Sequence, residues 1–322
     1  MGEIYEEQTL PKLLIASGDG PKYQEIFARE APELEVKLYN ADDPTIPDYV
    51  REMEIFFAWR FPPEIVKDAP NLRWISSTGA GVDMVMAARE WLPPGVPVTR
   101  MVHVFDTVMA EYVLGYLIAV QIDFRRAFRQ QDAKVWKGWH FPQLRGSTAV
   151  VVGLGSIGSE VARTLRAHGL TVIGVSRTGQ PVEGLDEVHS VDQLDSVLPR
   201  ADYLVLVVPL TPETRGLIDG RRLNLLPKGA VLANICRGAV VREQELIQAL
   251  ESGHLRFAVL DVFEQEPLPP ESPLWSMENV IVTPHMSGPD DAPVNAARFL
   301  ENYRRFQAGQ PLEGQIDFER GY

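Results

Sequence analysis

Three side chains suited to handling a small carboxylic acid stand at equivalent places in this chain. Arg237 follows the apolar run 230–234, Glu266 follows a run ending at Asp261, and His285 follows the run 281–283. Arginine offers a planar fork that matches a carboxylate. Histidine is the acid–base group whose charge changes nearest neutral pH. A carboxylate beside it fixes the tautomer and favours the charged imidazole. A second chemical signal lies upstream, where TAVVV at 148–152 runs into GLGSIG at 153–158 and then into an amphipathic stretch ending at Gly169. This reads as a buried strand, a tight turn and the opening of a helix, the context a dinucleotide fingerprint requires. Gly153 permits the turn, Gly155 lets the backbone approach a pyrophosphate, and Gly158 lets the helix pack closely on the strand. Ile157, Val161 and Leu165 recur every four residues and are expected to share one buried face. The N–H groups of that helix start would hold the anionic pyrophosphate.

These groups need a scaffold that brings them to one edge. Before the fingerprint, strand-like runs at 13–16, 34–38, 54–58 and 72–75 alternate with a helical run at 23–29. After it, runs at 171–175, 203–208, 230–234, 257–260 and 280–282 read as strands, with helices at about 242–252 and 295–307. Alternation of this kind implies parallel, doubly wound sheets, whose ligands bind outside the carboxyl ends of the strands. Arg237, Glu266 and His285 all fall there, as does the glycine turn. The last helix lies beyond the nucleotide half and is expected to return to the first domain. A long apolar helix at 108–120 leads toward the fingerprint.

The strand at 171–175 is followed by Ser176, Arg177 and Thr178. An NAD site wants a carboxylate at that point for the ribose hydroxyls. Its absence, with an arginine and two hydroxyls in its place, points to the 2′-phosphate of NADP(H), preferred over NAD(H). Trp59 and Arg60 follow another strand and are candidates to line a substrate site; the bland alternative is a hydrophobic loop with a snorkelling arginine.

The 322 residues suit about two domains. A formal charge of -13 argues against nucleic-acid or anionic-membrane partners. With one cysteine, Cys236, no internal disulfide can form, and no metal site is expected. No apolar run reaches about 18 residues, so no membrane-spanning helix is expected. Residues 1–8 are acidic and carry no apolar core of a leader, so a cytoplasmic protein is expected. The other histidines (His103, His140, His168, His189 and His254) are assigned to surface or packing.

The motifs GLGSIG at 153–158, PLTPET at 209–214, NICRG at 234–238, DVFEQEP at 261–267 and TPH at 283–285 together resemble the D-2-hydroxyacid dehydrogenase family. PPESPLW at 269–275 and GQIDFERGY at 314–322 are most similar to its glyoxylate/hydroxypyruvate reductase branch. The resemblance covers nearly the whole chain. It implies two doubly wound α/β domains, a Rossmann nucleotide domain at 104–288 inserted in a flavodoxin-like substrate domain made of 1–103 and 289–322. It implies that Arg237 holds the substrate carboxylate and keto oxygen, that His285 donates the proton, and that Glu266 keeps His285 protonated. At the cofactor it places Ser156, Ile157, Pro209, Thr214, Ile235, Cys236 and Gly288 beside the fingerprint glycines, with Asp261 at the nicotinamide amide. The run STGAGVD at 77–83 matches the family's substrate loop, where the N–H groups of Gly79, Ala80 and Gly81 bind the carboxylate; a glycine-bracketed loop can form such an anion nest. Relatives form homodimers, here expected through the apolar stretch 113–120, with Trp136 or Trp139 a candidate to reach the partner's site. The activity implied is NADPH-dependent reduction of small 2-keto acids such as glyoxylate or hydroxypyruvate. The alternative is a non-catalytic, NAD(P)-sensing partner protein, because transcriptional corepressors use the same scaffold. Formate dehydrogenases of this scaffold pair their histidine with Gln, whereas Glu266 stands here.

Overall fold

The computed structural model describes residues 10–321. They form two compact units, one taking in the chain up to Val104 and again from Asp290, the other Phe105–Pro289.

The first unit has a five-stranded sheet: β1 (Lys12–Ala16), β2 (Glu35–Leu38), β3 (Ile55–Ala58), β4 (Trp74–Ser77) and β5 (Val98–Thr99). All pairings are parallel and the spatial order is β2-β1-β3-β4-β5, the flavodoxin-like arrangement. β3 and β4 are buried along their whole length, as parallel strands covered on both faces must be. The helix Ala292–Gln307 returns to this unit. Its Phe299 stacks on Trp74 with ring centroids 4.9 Å apart and meets Phe27 and Phe57 at 4.9 and 5.0 Å. Trp74 Nε1 finds a buried acceptor in Thr99 Oγ1 at 3.0 Å.

The second unit has seven strands: β6 (Thr148–Val152), β7 (Thr171–Ser176), β8 (Glu187–Ser190), β9 (Tyr203–Leu206), β10 (Ala230–Asn234), β11 (Leu255–Leu260) and β12 (Val280–Val282). They are parallel, in the order β12-β11-β10-β9-β6-β7-β8. Read from β8, this is the Rossmann order, with the direction of winding reversing between β6 and β9. The two doubly wound α/β sheets expected from the alternation are therefore present.

Several elements differ from the reading of the sequence. The strand expected at 72–75 lies at Trp74–Ser77, because Leu72 closes a turn onto the Ala69 carbonyl and the strand continues through Ser76 and Ser77, buried although polar. The run 203–208 pairs only to Leu206. β5 and β8 carried no apolar signal; both are short edge strands. In the stretch 113–120, expected as partner surface, Val113, Leu117, Ala119 and Val120 are buried within the helix Asp106–Gln121, Leu114, Tyr116 and Ile118 are half-buried and Gly115 is exposed. That helix packs on the fingerprint helix Ser156–Ala167, which explains an apolar run with little polar relief. The side chains that do stay exposed come later: Phe124, Phe128, Val135, Trp136 and Phe141. No single helix among the described residues is long and apolar enough to cross a membrane.

Candidate active site

The glycine turn is built from backbone approaches. Gly153 has φ +103°, and a Cβ there would lie 2.3 Å from the Val207 carbonyl oxygen. A Cβ on Gly158 would lie 1.8 Å from the Gly153 carbonyl oxygen. Those two positions close the turn and seat the helix. Gly155 differs: an added Cβ would meet no described atom within 4 Å. It is exposed, and its helix starts without a side-chain cap. Uncapped N–H groups beside open space are what a pyrophosphate requires. Val161 and Leu165 are fully buried as the spacing predicts, whereas Ile157, in the first turn at the sheet edge, is only half-buried.

At the end of β7, Ser176 Oγ accepts the Gly179 N–H at 3.0 Å and shapes a turn with Arg177 and Thr178 exposed. After β9, Thr214 Oγ1 donates to the Pro209 carbonyl at 2.7 Å and accepts the Thr211 N–H at 2.7 Å, so the 209–214 loop closes on itself.

Asn234 ends β10. Its Nδ2 donates to the Arg237 carbonyl at 3.0 Å and its Oδ1 accepts the Cys236 N–H at 3.2 Å, tying down the turn that presents Arg237. Ile235 and Cys236 are buried, and Arg237 is half-buried with Nη1 donating to the Cys236 carbonyl at 2.6 Å. Burial pushes the Cys236 thiol up, away from the thiolate, and its sulfur bonds to Asn234 Oδ1 at 3.1 Å. A Cβ on Gly238 would sit 1.8 Å from the Phe263 carbonyl carbon, so the Arg237 turn presses backbone to backbone on the loop after β11. In that loop Phe263 N–H donates to Glu266 Oε1 at 3.0 Å. The other oxygen, Oε2, meets His285 Nδ1 at 2.7 Å. Burial pushes the Glu266 carboxyl up, but the His285 hydrogen bond, the Phe263 N–H and the charges of His285 and Arg237 outweigh it, leaving the group below its ordinary value. An ionised Glu266 can only accept, so His285 Nδ1 carries a proton. The structure thus brings Arg237, Glu266 and His285 together at one strand edge.

Asp261 does not stand open at that edge. It is fully buried; Oδ1 accepts Thr283 Oγ1 at 2.6 Å and the Met286 N–H at 2.8 Å, and Oδ2 accepts the Ser287 N–H at 2.8 Å. Its carboxylate thus takes the inward-pointing donors of the 283–287 turn. Gly288 follows, with Phe105 and Met109 side chains about its α-carbon.

In the first unit, Trp59 follows β3 and the 77–83 loop follows β4. A Cβ on Gly79 would lie 1.9 Å from the Trp59 ring, so the indole closes directly on the glycine loop. The Gly79 carbonyl accepts the Met101 N–H at 2.9 Å, and Gly79, Ala80 and Gly81 are half-buried.

The chain's likeness to known proteins bears directly on these features. Residues 114–287 match the family model described as D-isomer specific 2-hydroxyacid dehydrogenase, NAD binding domain. A D-isomer specific 2-hydroxyacid dehydrogenase from Xanthobacter autotrophicus Py2, solved with NADPH and MES, is 37% identical, with a TM-score of 0.88 over 97% of this chain and 99% of that one. The NADPH-dependent glyoxylate/hydroxypyruvate reductase of Sinorhizobium meliloti, solved with NADP and sulfate, is 32% identical, with a TM-score of 0.85 over 97% and 100%. A D-isomer specific 2-hydroxyacid dehydrogenase family protein from Aeromonas salmonicida subsp. salmonicida A449 is 36% identical, with a TM-score of 0.87 over 96% and 99%.

The chain belongs to the D-isomer specific 2-hydroxyacid dehydrogenase family.

Membership makes it an NAD(P)-dependent dehydrogenase of 2-hydroxy acids, and the second unit fits such a cofactor on its own evidence: the open space over Gly155 and the uncapped helix start. Two residues at the site escaped the sequence reading. Asn234 carried a usable signal, since an Asn at a strand end often caps the turn that follows. Tyr112, whose hydroxyl lies 2.5 Å from Thr283 Oγ1, carried none; it sits inside an apolar helix about 170 residues away in sequence.

Proposed function

We propose that this enzyme reduces small 2-keto acids of the glyoxylate and hydroxypyruvate kind to D-2-hydroxy acids, with NADPH as reductant. The observation that carries the reading is the His285–Glu266 pair at 2.7 Å beside the Arg237 turn. When bound, the nicotinamide supplies the hydride. Arg237 holds the carboxylate and keto oxygen through its planar fork. Glu266 occupies Nδ1–H of His285, which directs Nε2 outward to give its proton to the keto oxygen. Charged His285 beside charged Arg237 also favours the negative charge that grows on that oxygen. The Gly79, Ala80 and Gly81 loop is proposed as a second holder of the carboxylate, with Trp59 as an apolar wall against it.

For the cofactor, the proposal assigns Gly153, Gly155, Ser156, Ile157 and Gly158 to the pyrophosphate, and Ser176, Arg177 and Thr178 to the 2′-phosphate. Pro209, Thr214, Ile235, Cys236 and Gly288 are assigned to the surrounding wall. The relatives solved with NADPH and NADP support this preference. The unit from Phe105 to Pro289 is proposed as the nucleotide domain and the other as the substrate domain. We further propose a homodimer. Its support is the run of exposed apolar side chains between Phe124 and Phe141, above all the fully exposed Trp136. Trp139, by contrast, turns back on its own chain, with Nε1 donating to the Ile122 carbonyl at 3.1 Å.

The test is a panel of 2-keto acids assayed with NADPH and NADH on the pure protein. Keto-acid-dependent oxidation of NADPH, strongest with the smallest acids, is the expected result. No oxidation with any acid would overturn the proposal.

A further inference from the structure

The acid–base reading leaves unused a hydrogen-bonded chain that runs from half-buried Tyr112 to buried Asp261. Tyr112 Oη lies 2.5 Å from Thr283 Oγ1, and Thr283 Oγ1 lies 2.6 Å from Asp261 Oδ1. With backbone N–H groups already aimed at both Asp261 oxygens, the carboxylate is the acceptor of the third bond. Thr283 therefore gives its one proton to Asp261, and Tyr112 must donate to Thr283. Burial pushes the Tyr112 hydroxyl up, which keeps that proton in place.

The chain ends at the backbone that carries His285. Met286 and Ser287 donate their N–H groups to the Asp261 carboxylate, and His285 donates its own to the Asp261 carbonyl at 2.8 Å. Between these ties His285 is held at φ +50°, a left-handed conformation that residues other than glycine adopt seldom. Its imidazole is anchored on the far side at a single point, Nδ1 to Glu266. The direction of Nε2 is then set by two things, the Glu266 bond and the backbone twist at 285, and the second is maintained by Asp261.

We infer that Tyr112, Thr283 and Asp261 form a positioning relay, which holds the 283–287 turn so that His285 Nε2 points at the proton acceptor. The inference rests on the reading of His285 as proton donor. The groups facing His285 are Glu266, the Asp261 carbonyl and, through Glu266, the Arg237 charge; Asp261 itself is faced by Thr283 and, through it, by Tyr112. None of the three relay residues needs to touch substrate.

Thr283→Val keeps the shape and removes the hydroxyl, leaving Tyr112 and Asp261 each a partner short. The expected result is a kcat for keto-acid reduction lowered about 10- to 100-fold, the scale of a small misplacement of a reacting group. NADPH affinity, read by quenching of protein fluorescence, is expected to be unchanged, and Thr283→Ser to recover the rate. Tyr112→Phe leaves the Thr283–Asp261 bond intact and should lower kcat less; it carries the test if Thr283→Val does not fold. The decisive measurement is in a His285→Asn background, where the residual rate no longer runs through the imidazole and Thr283→Val should change nothing further. A wild-type kcat in folded Thr283→Val overturns the relay, as does the same fold-loss in both backgrounds, which marks a merely structural role. A wild-type kcat in His285→Asn itself would overturn the proton-donor reading instead, so the two failures are distinct.

Discussion

Glu266→Gln isolates the charge in the pair that the mechanism depends on. Gln keeps the size of Glu266 and one acceptor oxygen, but Glu266 uses both of its oxygens, one on Phe263 N–H and one on His285 Nδ1. Gln can serve one of those donors and not both. The larger loss is electrostatic. Two unit charges 4 Å apart interact by roughly 1 kcal/mol in water and roughly 4 kcal/mol at an effective dielectric of 20. The side chains of His285 and Glu266 are 41% and 34% exposed, which places the pair toward the watery end. A value of about 1–2 kcal/mol corresponds to about one pH unit. The sign follows from the roles. In the proposed mechanism reduction needs the proton on His285, and ionised Glu266, held below its ordinary value, favours the charged imidazole. Without that charge the proton leaves at lower pH. The alkaline limb of kcat/KM for keto-acid reduction should therefore move down by about one pH unit. In the reverse direction, oxidation of the hydroxy acid should gain activity at lower pH, because it needs neutral His285. The assay is a pH profile of both directions with NADPH and NADP at fixed ionic strength. An alkaline limb that stays in place, or moves up, in a folded variant would refute the pairing as the source of the proton's retention.

Arg177→Ala should weaken NADPH by about 10- to 150-fold, the worth of one charge-assisted hydrogen bond, and NADH little; Ser176→Asp should turn the preference toward NADH, and equal use of both cofactors by the wild type would defeat the assignment. Arg237→Lys keeps the charge and loses the fork, so kcat/KM for every 2-keto acid should fall, by roughly 10²-fold if the substrate is merely misplaced; wild-type kinetics on glyoxylate would mean the carboxylate is held elsewhere. Gly155→Ala meets no described atom, so its melting temperature should match wild type while NADPH binding weakens. Gly158→Ala drives a methyl into the Gly153 carbonyl and should destabilise the fold by about 1–3 kcal/mol, the usual cost of overpacking; equal stability of the two variants would contradict the turn geometry.

Much of this arrangement was legible from residue order. β6 and β10 fall where their apolar runs place them, because a strand buried on both faces leaves an uninterrupted run in the sequence, and the edge strand β12 is legible because all three of its residues are aliphatic. β8 was not legible: as an edge strand with one neighbour it reads Glu-Val-His-Ser and is half-buried throughout. The helix Phe124–Asp132 is rich in charged and polar residues, and its apolar stripe of Phe124, Ala127 and Phe128 is too short to announce it. The burial of Val113, Leu117, Ala119 and Val120 against their own chain was not legible for the opposite reason. The apolar content of 113–120 was read correctly, but composition does not say whether the covering surface belongs to the same chain or to a partner. Arg237, Glu266 and His285 were legible as residue types beyond strand ends; their distances were not.

What converts those types into a site is a set of backbone approaches that only glycine permits. Gly238 against Phe263 brings the loop after β10 onto the loop after β11, and with it Arg237 toward Glu266. Gly153 against Val207, with Gly158 against Gly153, does the same for the phosphate turn beside β9. In each case the side chains proposed to do chemistry lie on loops, while the contact that aims them is between main chains, where sequence records only the absence of a Cβ. His285 is the exception. No glycine frees its backbone, and its left-handed conformation is held from outside by Asp261, Thr283 and Tyr112. A glycine at 285 would take that conformation without help and could carry no proton. The proposed chemistry requires an imidazole where the backbone would accept a glycine, and the buried bonds to Asp261 would be the structural consequence.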